Sequence, residues 1–165
     1  MNRSKKQQLD ELERQILADN ICPELSAGAT QLVFGGGNLD ADIVFVGEAP
    51  GKKEDIEGQP FIGASGKSLD SMLETINLDR SDIYITNIVK YRPPNNRDPK
   101  QGEKAAFLPY SLKQISIIAP KLIVTLGRHS MDVLLPGLKI SDVHGQLVDQ
   151  DGANFMPMYH PAAAM

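Results

Sequence analysis

The chain has 165 residues, a formal net charge of −4 at pH 7, 41% hydrophobic residues and 23% charged residues. This length and balance predict a single domain over residues 1–165, and the acidic balance excludes a broad electrostatic grip on nucleic acid while permitting a local basic rim. A lone cysteine excludes an internal disulfide, and the sequence shows neither a membrane span of roughly 20 apolar residues nor a signal peptide. We therefore predict a cytoplasmic protein that does not contact membranes.

Helical and strand patterns alternate along the chain. Apolar residues recur at helical spacing over Lys5–Ala18, which predicts an amphipathic helix. Predicted strands follow at residues 43–46, 83–89 and 121–126, with a final strand or hairpin from residues 145–148 and 154–158. Predicted helices carry the apolar set Leu69, Met72, Leu73 and Ile76, then residues 102–119, which Pro109 kinks or begins, and residues 128–135. This alternation predicts a three-layer α/β/α sandwich around a central, mostly parallel four-stranded sheet.

The central stretch spans residues 42–61 and joins a buried strand to a turn rich in glycine and carboxylates. Gly47 breaks the strand at its carboxyl end, which is where ligands bind in an α/β sheet. Glu48 and Glu54 place carboxylates at that edge, and Phe61 can offer a flat apolar face. The combination predicts a pocket for a flat, polar ligand.

Polar residues follow three predicted strands: Glu48, Asn87 and His160. Parallel strands bring such residues to one edge of the sheet, so we expect them to converge. An Asn at a strand end is often a turn former, but its amide can equally recognise the edge of a nucleobase. The other two histidines, His129 and His144, lack this context, and we predict that they are surface or capping residues.

Two further segments have an ordinary and a functional interpretation. The basic loop that holds Arg92, Asn96 and Arg97 is either a solvated loop or a phosphate contact that positions DNA. The run GASGKS at residues 63–68 lacks the first glycine of a phosphate-binding loop, so we predict a flexible glycine joint and a helix start there.

Four ordered motifs resemble the family 4 uracil-DNA glycosylases. They are GEAPG with Glu54-Asp55 and GQPFIG at residues 47–63, YITNIVK with RPP and Asn96-Arg97 at residues 84–97, PKLIVTLG at residues 120–127, and His160-Pro161-Ala162. The resemblance covers residues 32–163. It implies an enzyme that hydrolyses the N-glycosidic bond of a uracil flipped out of single- or double-stranded DNA.

The resemblance also implies a role for each matching residue. Phe61 would stack on the base, Asn87 would pair with the polar edge of uracil, and His160 would donate a hydrogen bond toward O2. Glu48, between Gly47 and Ala49 in the GEAPG turn, would lie beside the bond that breaks, and Glu54 would orient the attacking water. Pro161, Ala162 and the two residues after them would form the loop that enters the minor groove.

The chain departs from this family in two respects. Family members typically hold a four-iron four-sulfur cluster on four cysteines, but Tyr91 stands at one of these positions and residues 105–120 hold no cysteine. We therefore predict a cluster-free protein with no metal, in which Tyr91 and apolar neighbours fill the space. Relatives also continue for a further helix after the His-Pro-Ala motif, so we expect that helix to be absent or truncated.

Other functions remain open from the sequence. The same fold could act on hypoxanthine or xanthine, or it could be a catalytically weak module that binds uracil or DNA. A small-molecule nucleotide binder would need the phosphate loop that the sequence lacks. The favoured interpretation is a monomeric uracil-DNA glycosylase.

Overall fold

Six strands form one sheet in the order β1-β3-β2-β4-β6-β5. The structure is a computed structural model, and it describes residues 3–164. The four central strands run parallel to one another, and each edge strand is antiparallel to its neighbour. The strands are β1 (Gly36–Gly37), β2 (Ile43–Gly47), β3 (Tyr84–Asn87), β4 (Leu122–Leu126), β5 (Val148–Gln150) and β6 (Ala153–Met158). The predicted sheet of four strands was too small, because it contained only the parallel centre.

Sequence patterns do not predict the two edge strands correctly. β1 consists of two glycines, which strand patterns disfavour. Glycine is required there, because a Cβ on Gly37 would lie 2.9 Å from the Cα of Tyr84 on the paired strand. β5 is joined to β6 by Asp151 and Gly152, whose φ angles of 52° and 86° form the tight turn of a hairpin. The predicted strand at residues 145–148 therefore lies too early in the chain.

Helices cover both faces of the sheet. They are α1 (Lys5–Ala18), α2 (Pro23–Ser26), α3 (Lys52–Glu57), α4 (Ala64–Thr75), α5 (Gln101–Ile118), α6 (Arg128–Leu134) and α7 (Ile140–Val143), with 3₁₀ turns at Arg80–Asp82, Pro94–Asn96 and Pro161–Ala164. Alternation along β2 separates the two faces. Val44 and Val46 share a buried cluster with Ile16 of α1 and Ile118 of α5, whereas Phe45 joins a second cluster with α4. The predicted three-layer arrangement is confirmed.

α5 runs through Pro109 without a break, so the helix neither begins nor ends at that residue. Pro109 is exposed, and a helix can tolerate the lost backbone donor on its outer side. Within residues 3–164, no helix combines the length and the apolar character needed to cross a bilayer.

Candidate active site

A cavity of about 390 Å³ lies at the carboxyl ends of the parallel strands. β2 ends at Gly47 and β3 at Asn87, and these two residues pair in register. His160 follows the end of β6 by two residues. The volume falls within the roughly 300–1,000 Å³ of small-molecule sites.

Most of the predicted site residues meet at this cavity. Its lining includes Glu48, Ala49, Glu54, Phe61, Asn87, Asn96, Arg97, His160 and Ala162. Gly47, Arg92 and Pro161 are chain neighbours of lining residues. The parallel order of the strands explains this convergence of distant segments.

Gly47 allows two side chains to lie against its backbone. A Cβ at this position would lie 2.5 Å from both Asn87 Oδ1 and Phe61 Cζ. Real Cβ atoms do not approach other atoms so closely, so any larger residue would displace the amide or the ring. The glycine at the end of β2 therefore sets the relative placement of Phe61 and Asn87.

The side chain of Asn87 has an unpaired acceptor. The residue is 2% exposed, and its Oδ1 is buried without a hydrogen-bond partner among the described residues. A hydrogen bond fixes its main chain, since the Nζ of the fully buried Lys90 donates to the Asn87 carbonyl at 2.8 Å. An orphaned buried acceptor costs about 1–3 kcal/mol, so its presence beside a cavity indicates a ligand that supplies a donor.

Phe61 is held in a strained backbone conformation. Its φ of 51° is in the left-handed region, where a bulky residue is an outlier, and such strain clusters at functional sites. Arg80 fastens this backbone by donating to the carbonyl oxygens of Phe61 at 2.6 Å and of Pro60 at 2.8 Å. No sequence motif indicates Arg80, which lies 19 residues away from the aromatic residue that it positions.

The helix start predicted after Phe61 is confirmed, but Gly66 lies inside that helix and not in a flexible joint. α4 already begins at Ala64, and Gly66 is buried within its first turn. A Cβ on Gly66 would overlap the carbonyl group of Phe61. Gly66 therefore permits a close approach of the helix to the loop.

Glu54 closes the loop on which Phe61 lies. Its Oε1 accepts from the backbone N–H of Gly51 at 3.1 Å, and its Oε2 accepts from those of Ile62 at 3.0 Å and Gly63 at 2.8 Å. Hydrogen bonds to an ionised carboxylate are stronger than those between neutral groups. The carboxylate borders the cavity, but this geometry favours a structural role for Glu54 over the predicted orientation of water.

His160 presents one defined ring nitrogen as a donor. Its Nδ1 accepts from the backbone N–H of Ala162 at 3.1 Å, so the neutral ring carries its proton on Nε2. Burial lowers the pKa of His160, and the nearby Glu48 carboxylate opposes this shift with a smaller effect. The ring lies 5.9 Å from that of Phe61, measured between centroids. A neutral imidazole with an Nε2–H is thus available to a ligand beside Phe61.

Glu48 approaches the backbone of the turn after β4. Gly127 has a φ of 91°, and a Cβ there would lie 2.6 Å from Glu48 Oε1 and 3.3 Å from His160 Cβ. The glycine therefore makes room for the carboxylate next to His160.

The basic loop contains one anchored arginine and one that lies at the rim. Arg97 forms a two-pronged pair with the buried Glu103, with both N–O distances at 2.8 Å. This hydrogen bonding by Arg97 is the largest of the effects that lower the pKa of Glu103. Arg92 donates from Nε to Asn96 Oδ1 at 2.7 Å, and Asn96 is exposed. The geometry favours a role for Arg97 in anchoring the loop. Arg92 and Asn96 contact each other at the rim.

Residues after His160 turn back onto the protein. The 3₁₀ turn Pro161–Ala164 packs against α4, with the Pro161 carbonyl 3.5 Å from the Ser68 hydroxyl that donates to it. Pro161 is buried and Ala162 is exposed. The predicted minor-groove segment is therefore a supported turn at the mouth of the cavity.

The prediction that His129 is a surface or capping residue was wrong. Its side chain is 13% exposed. One ligating atom of His129 and one carboxylate oxygen each from Glu48 and Asp98 lie within 4.8 Å of one another. The sequence signal was available, because His129 follows Gly127 at the carboxyl end of β4, the same kind of position as Glu48 and Asn87. His144, in contrast, is exposed.

By residue type, Glu48, Asp98 and His129 could hold a cation. A metal-bound histidine, however, normally donates its second ring N–H to an acceptor. Here Lys104 Nζ lies 3.3 Å from His129 Nδ1, and an ammonium group can only donate. The Nε2 atom near the carboxylates therefore carries a proton, which disfavours a metal ion.

The residues at the cluster positions do not fit an iron–sulfur cluster. Tyr91 meets Phe107 edge to face with ring centroids 6.0 Å apart, and Cys22 lies in the same buried core. Burial raises the pKa of Cys22 to about 11, with smaller contributions from Glu24 and Glu103, so the thiol stays protonated at neutral pH. A cluster needs about four thiolates, and this chain has one cysteine.

Comparison with known proteins places the chain among glycosylases. The model of the uracil DNA glycosylase superfamily matches residues 34–165. A type-4 uracil-DNA glycosylase of Sulfurisphaera tokodaii is 42% identical over an alignment that covers 95% of this chain and 76% of that protein. Type-4 enzymes of Archaeoglobus fulgidus and Thermotoga maritima are 42% and 44% identical, over 95% and 86% of this chain and 83% and 74% of their own lengths.

The family match includes all six strands and every predicted site residue. Together with the cavity at the ends of the parallel strands, it shows that this chain belongs to the uracil DNA glycosylase superfamily.

Proposed function

We propose that this protein is a uracil-DNA glycosylase that hydrolyses the bond between uracil N1 and the deoxyribose and leaves an abasic site in DNA. The observation that supports this proposal most directly is the buried, unpaired Oδ1 of Asn87 at the cavity. The names of the similar type-4 enzymes support the same activity.

Asn87 would select the base. Uracil presents an N3–H donor next to its O4 acceptor, and an Asn amide can accept from the first and donate to the second. Cytosine has no hydrogen on N3 and carries an amino group at C4, so both contacts would become mismatched. Mismatched hydrogen bonding in a buried site discriminates more strongly than size does.

Phe61 would provide the surface on which the base stacks. A base inside a duplex cannot reach a cavity, so it must be flipped out at a cost of a few kcal/mol. Stacking on an aromatic ring returns about 1–3 kcal/mol. The strained backbone of Phe61, held by Arg80, supports a ring that is placed before the base arrives.

His160 and Glu48 would lower the barrier to bond cleavage. As the bond breaks, the electron pair moves into the uracil ring and negative charge gathers on O2, where the Nε2–H of neutral His160 would donate. The sugar becomes an oxocarbenium-like cation, which the Glu48 carboxylate would stabilise. Water then adds to the anomeric carbon of the sugar and loses a proton, the departing uracil anion takes up a proton, and hydrolysis is complete.

Surface residues around the cavity would hold the DNA. Arg92 and Asn96 would contact the phosphate backbone, with Arg97 fixing the loop that carries them, and Pro161 with Ala162 would approach the duplex where the base leaves. A small contact area of this kind is compatible with a net charge of −4.

We further propose that the enzyme works without an iron–sulfur cluster. The packing of Cys22, Tyr91 and Phe107 supports this. A buried free thiol fits the reducing cytoplasm, and we also propose that the protein acts as a monomer with one domain.

The test is excision from a labelled oligonucleotide with one uracil, single-stranded or opposite G or A, followed by alkaline cleavage of abasic sites. Wild-type protein should cleave, and Asn87→Ala and His160→Ala should each lose about 10²–10³ in rate, the typical effect of removing one such hydrogen-bonding group. Asn154→Ala, an exposed change on β6, is the matched control and should keep the full rate.

No excision of uracil by the wild type would overturn the proposal. Release of hypoxanthine or xanthine instead would assign another base to the cavity. Binding of uracil-containing DNA without cleavage would identify a non-enzymatic module.

A further inference from the structure

Four segments meet at one side of the cavity in a chain of polar contacts: Lys104 on α5, His129 on α6, Glu48 after β2, and Asp98 on the loop before α5. We propose that His129 is a positioning residue whose Nε2–H comes within hydrogen-bond distance of the Glu48 carboxylate when substrate binds, and that Lys104 fixes the tautomer of His129 required for this. The proposal rests on the glycosylase function proposed above and adds two residues to it.

Lys104 determines which ring nitrogen carries the proton. Its side chain is almost fully buried on α5, with 4% of the residue exposed, and its Nζ lies 3.3 Å from His129 Nδ1. An ammonium group has three donors and no acceptor, so Nδ1 must accept. The neutral His129 ring consequently carries its hydrogen on Nε2.

The Nε2–H faces the two carboxylates. Nε2 is buried and has no hydrogen-bond partner among the described residues, and it lies 3.5 Å from Asp98 Oδ2. The Glu48 oxygen belongs to the same group of atoms, all within 4.8 Å of one another. A donor between two carboxylates reduces their repulsion, and hydrogen bonds of this kind often shorten when substrate binds.

His129 also connects the catalytic carboxylate with the DNA-contacting loop. Asp98 follows Arg97 on that loop, and Arg128, next to His129, reaches Asp98 at 3.7 Å. His129 would therefore link the loop proposed to contact DNA with the Glu48 carboxylate.

The first experiment compares His129→Leu, which removes the donor, with His129→Gln, whose amide N–H reaches a similar position. In single-turnover excision, His129→Leu should be slower by about tenfold to a hundredfold, with DNA affinity within about twofold of wild type, and His129→Gln should recover most of the rate. In a Glu48→Ala background, His129→Leu should cause no further loss. A full effect in that background, or equal rates for Leu and Gln variants, would overturn the proposal.

The second experiment does not depend on activity. Nitrogen NMR of the imidazole groups in the wild type should show His129 protonated on Nε2 alone, and Lys104→Met should change this signature while Lys113→Met, an exposed change on the same helix, should not. Protonation of His129 on Nδ1 in the wild type would overturn the proposal. A wild type with the expected tautomer but no uracil excision would instead contradict the proposed function.

Discussion

At the scale of one residue, the buried amino group of Lys90 supports the cavity residue Asn87. It is fully buried, and its Nζ donates to Thr86 Oγ1 at 2.7 Å and to the Asn87 carbonyl at 2.8 Å. It thus fixes the end of β3, from which the Asn87 amide projects. Burial lowers the pKa of Lys90 from 10.5 to about 7. Removing water from an ammonium group disfavours its charged form.

We expect this lowered pKa to appear as a pH dependence of stability. Above about pH 7 the unfolded chain binds a proton that folded Lys90 has released, so the free energy of unfolding should rise with pH between about 7 and 8.5. Chemical denaturation at several pH values should show the free energy of unfolding of the wild type rising with pH more steeply than that of Lys90→Met. The difference should reach up to about 1.4 kcal/mol per pH unit. The difference between the two proteins isolates Lys90, because the other titratable groups, including Cys22 and Tyr84, are present in both.

Lys113→Met, on the exposed side of α5, should keep the wild-type slope. Parallel slopes for the wild type and Lys90→Met would show that Lys90 keeps an ordinary pKa in the folded protein.

The loop between α3 and α4 is the element on which base stacking depends. Glu54 holds it from one side through the backbone N–H groups of Ile62 and Gly63, and Arg80 holds it from the other through two carbonyl oxygens. Between them Phe61 keeps a left-handed φ of 51°. The loop is irregular in backbone, but side-chain hydrogen bonds from both sides fix its conformation.

Glu54→Gln should loosen this loop. The substitution replaces one carboxylate oxygen by an amide donor and removes the charge, so at least one backbone N–H loses its acceptor, which costs about 1–3 kcal/mol. Urea denaturation should show a loss of that size, and uracil excision should slow because Phe61 is less well placed. Glu57→Gln, on the exposed side of the same helix, should change neither. An unaffected stability in Glu54→Gln would contradict the structural role of this carboxylate.

At the scale of the whole molecule, an apolar core occupies the place where relatives are expected to hold a metal cluster. Phe107 is fully buried and Tyr91 is 6% exposed, and both belong to the large cluster between α1, α5 and the sheet. The loop that begins after Lys90 is therefore joined to α5 by aromatic packing and by the Arg97–Glu103 pair. In the cluster-free protein proposed above, hydrophobic burial would replace coordination bonds.

This organisation predicts a protein whose stability is independent of iron. Purified protein should contain no iron, and a chelator should leave its melting temperature unchanged. Phe107→Ala should lower the free energy of unfolding by about 3–5 kcal/mol, the usual cost of truncating a buried aromatic residue. Leu112→Ala, at a half-exposed position on the same helix, should cost much less. Stoichiometric iron together with destabilisation by a chelator would show that a cluster is present after all.

The sequence by itself determined the parallel centre of the sheet, the bounds of α1 and the positions of Glu48, Asn87 and His160 at strand ends. These features depend on local periodicity and on the rule that parallel strands place their carboxyl ends at one edge. The four motifs also led directly to the superfamily, because motif order and spacing are properties of the chain alone.

Tertiary structure alone decided which of these residues are free to act. Glu54 and Arg97 carry the right charges for catalysis or DNA contact, but Glu54 is hydrogen-bonded to Gly63 and Arg97 to Glu103, which lie in neighbouring turns and helices. Asn87 Oδ1 lacks a partner, and His129 turns inward, because of what the fold packs around them. The physical reason is that burial and hydrogen bonding depend on segments far apart in sequence, which local patterns do not encode.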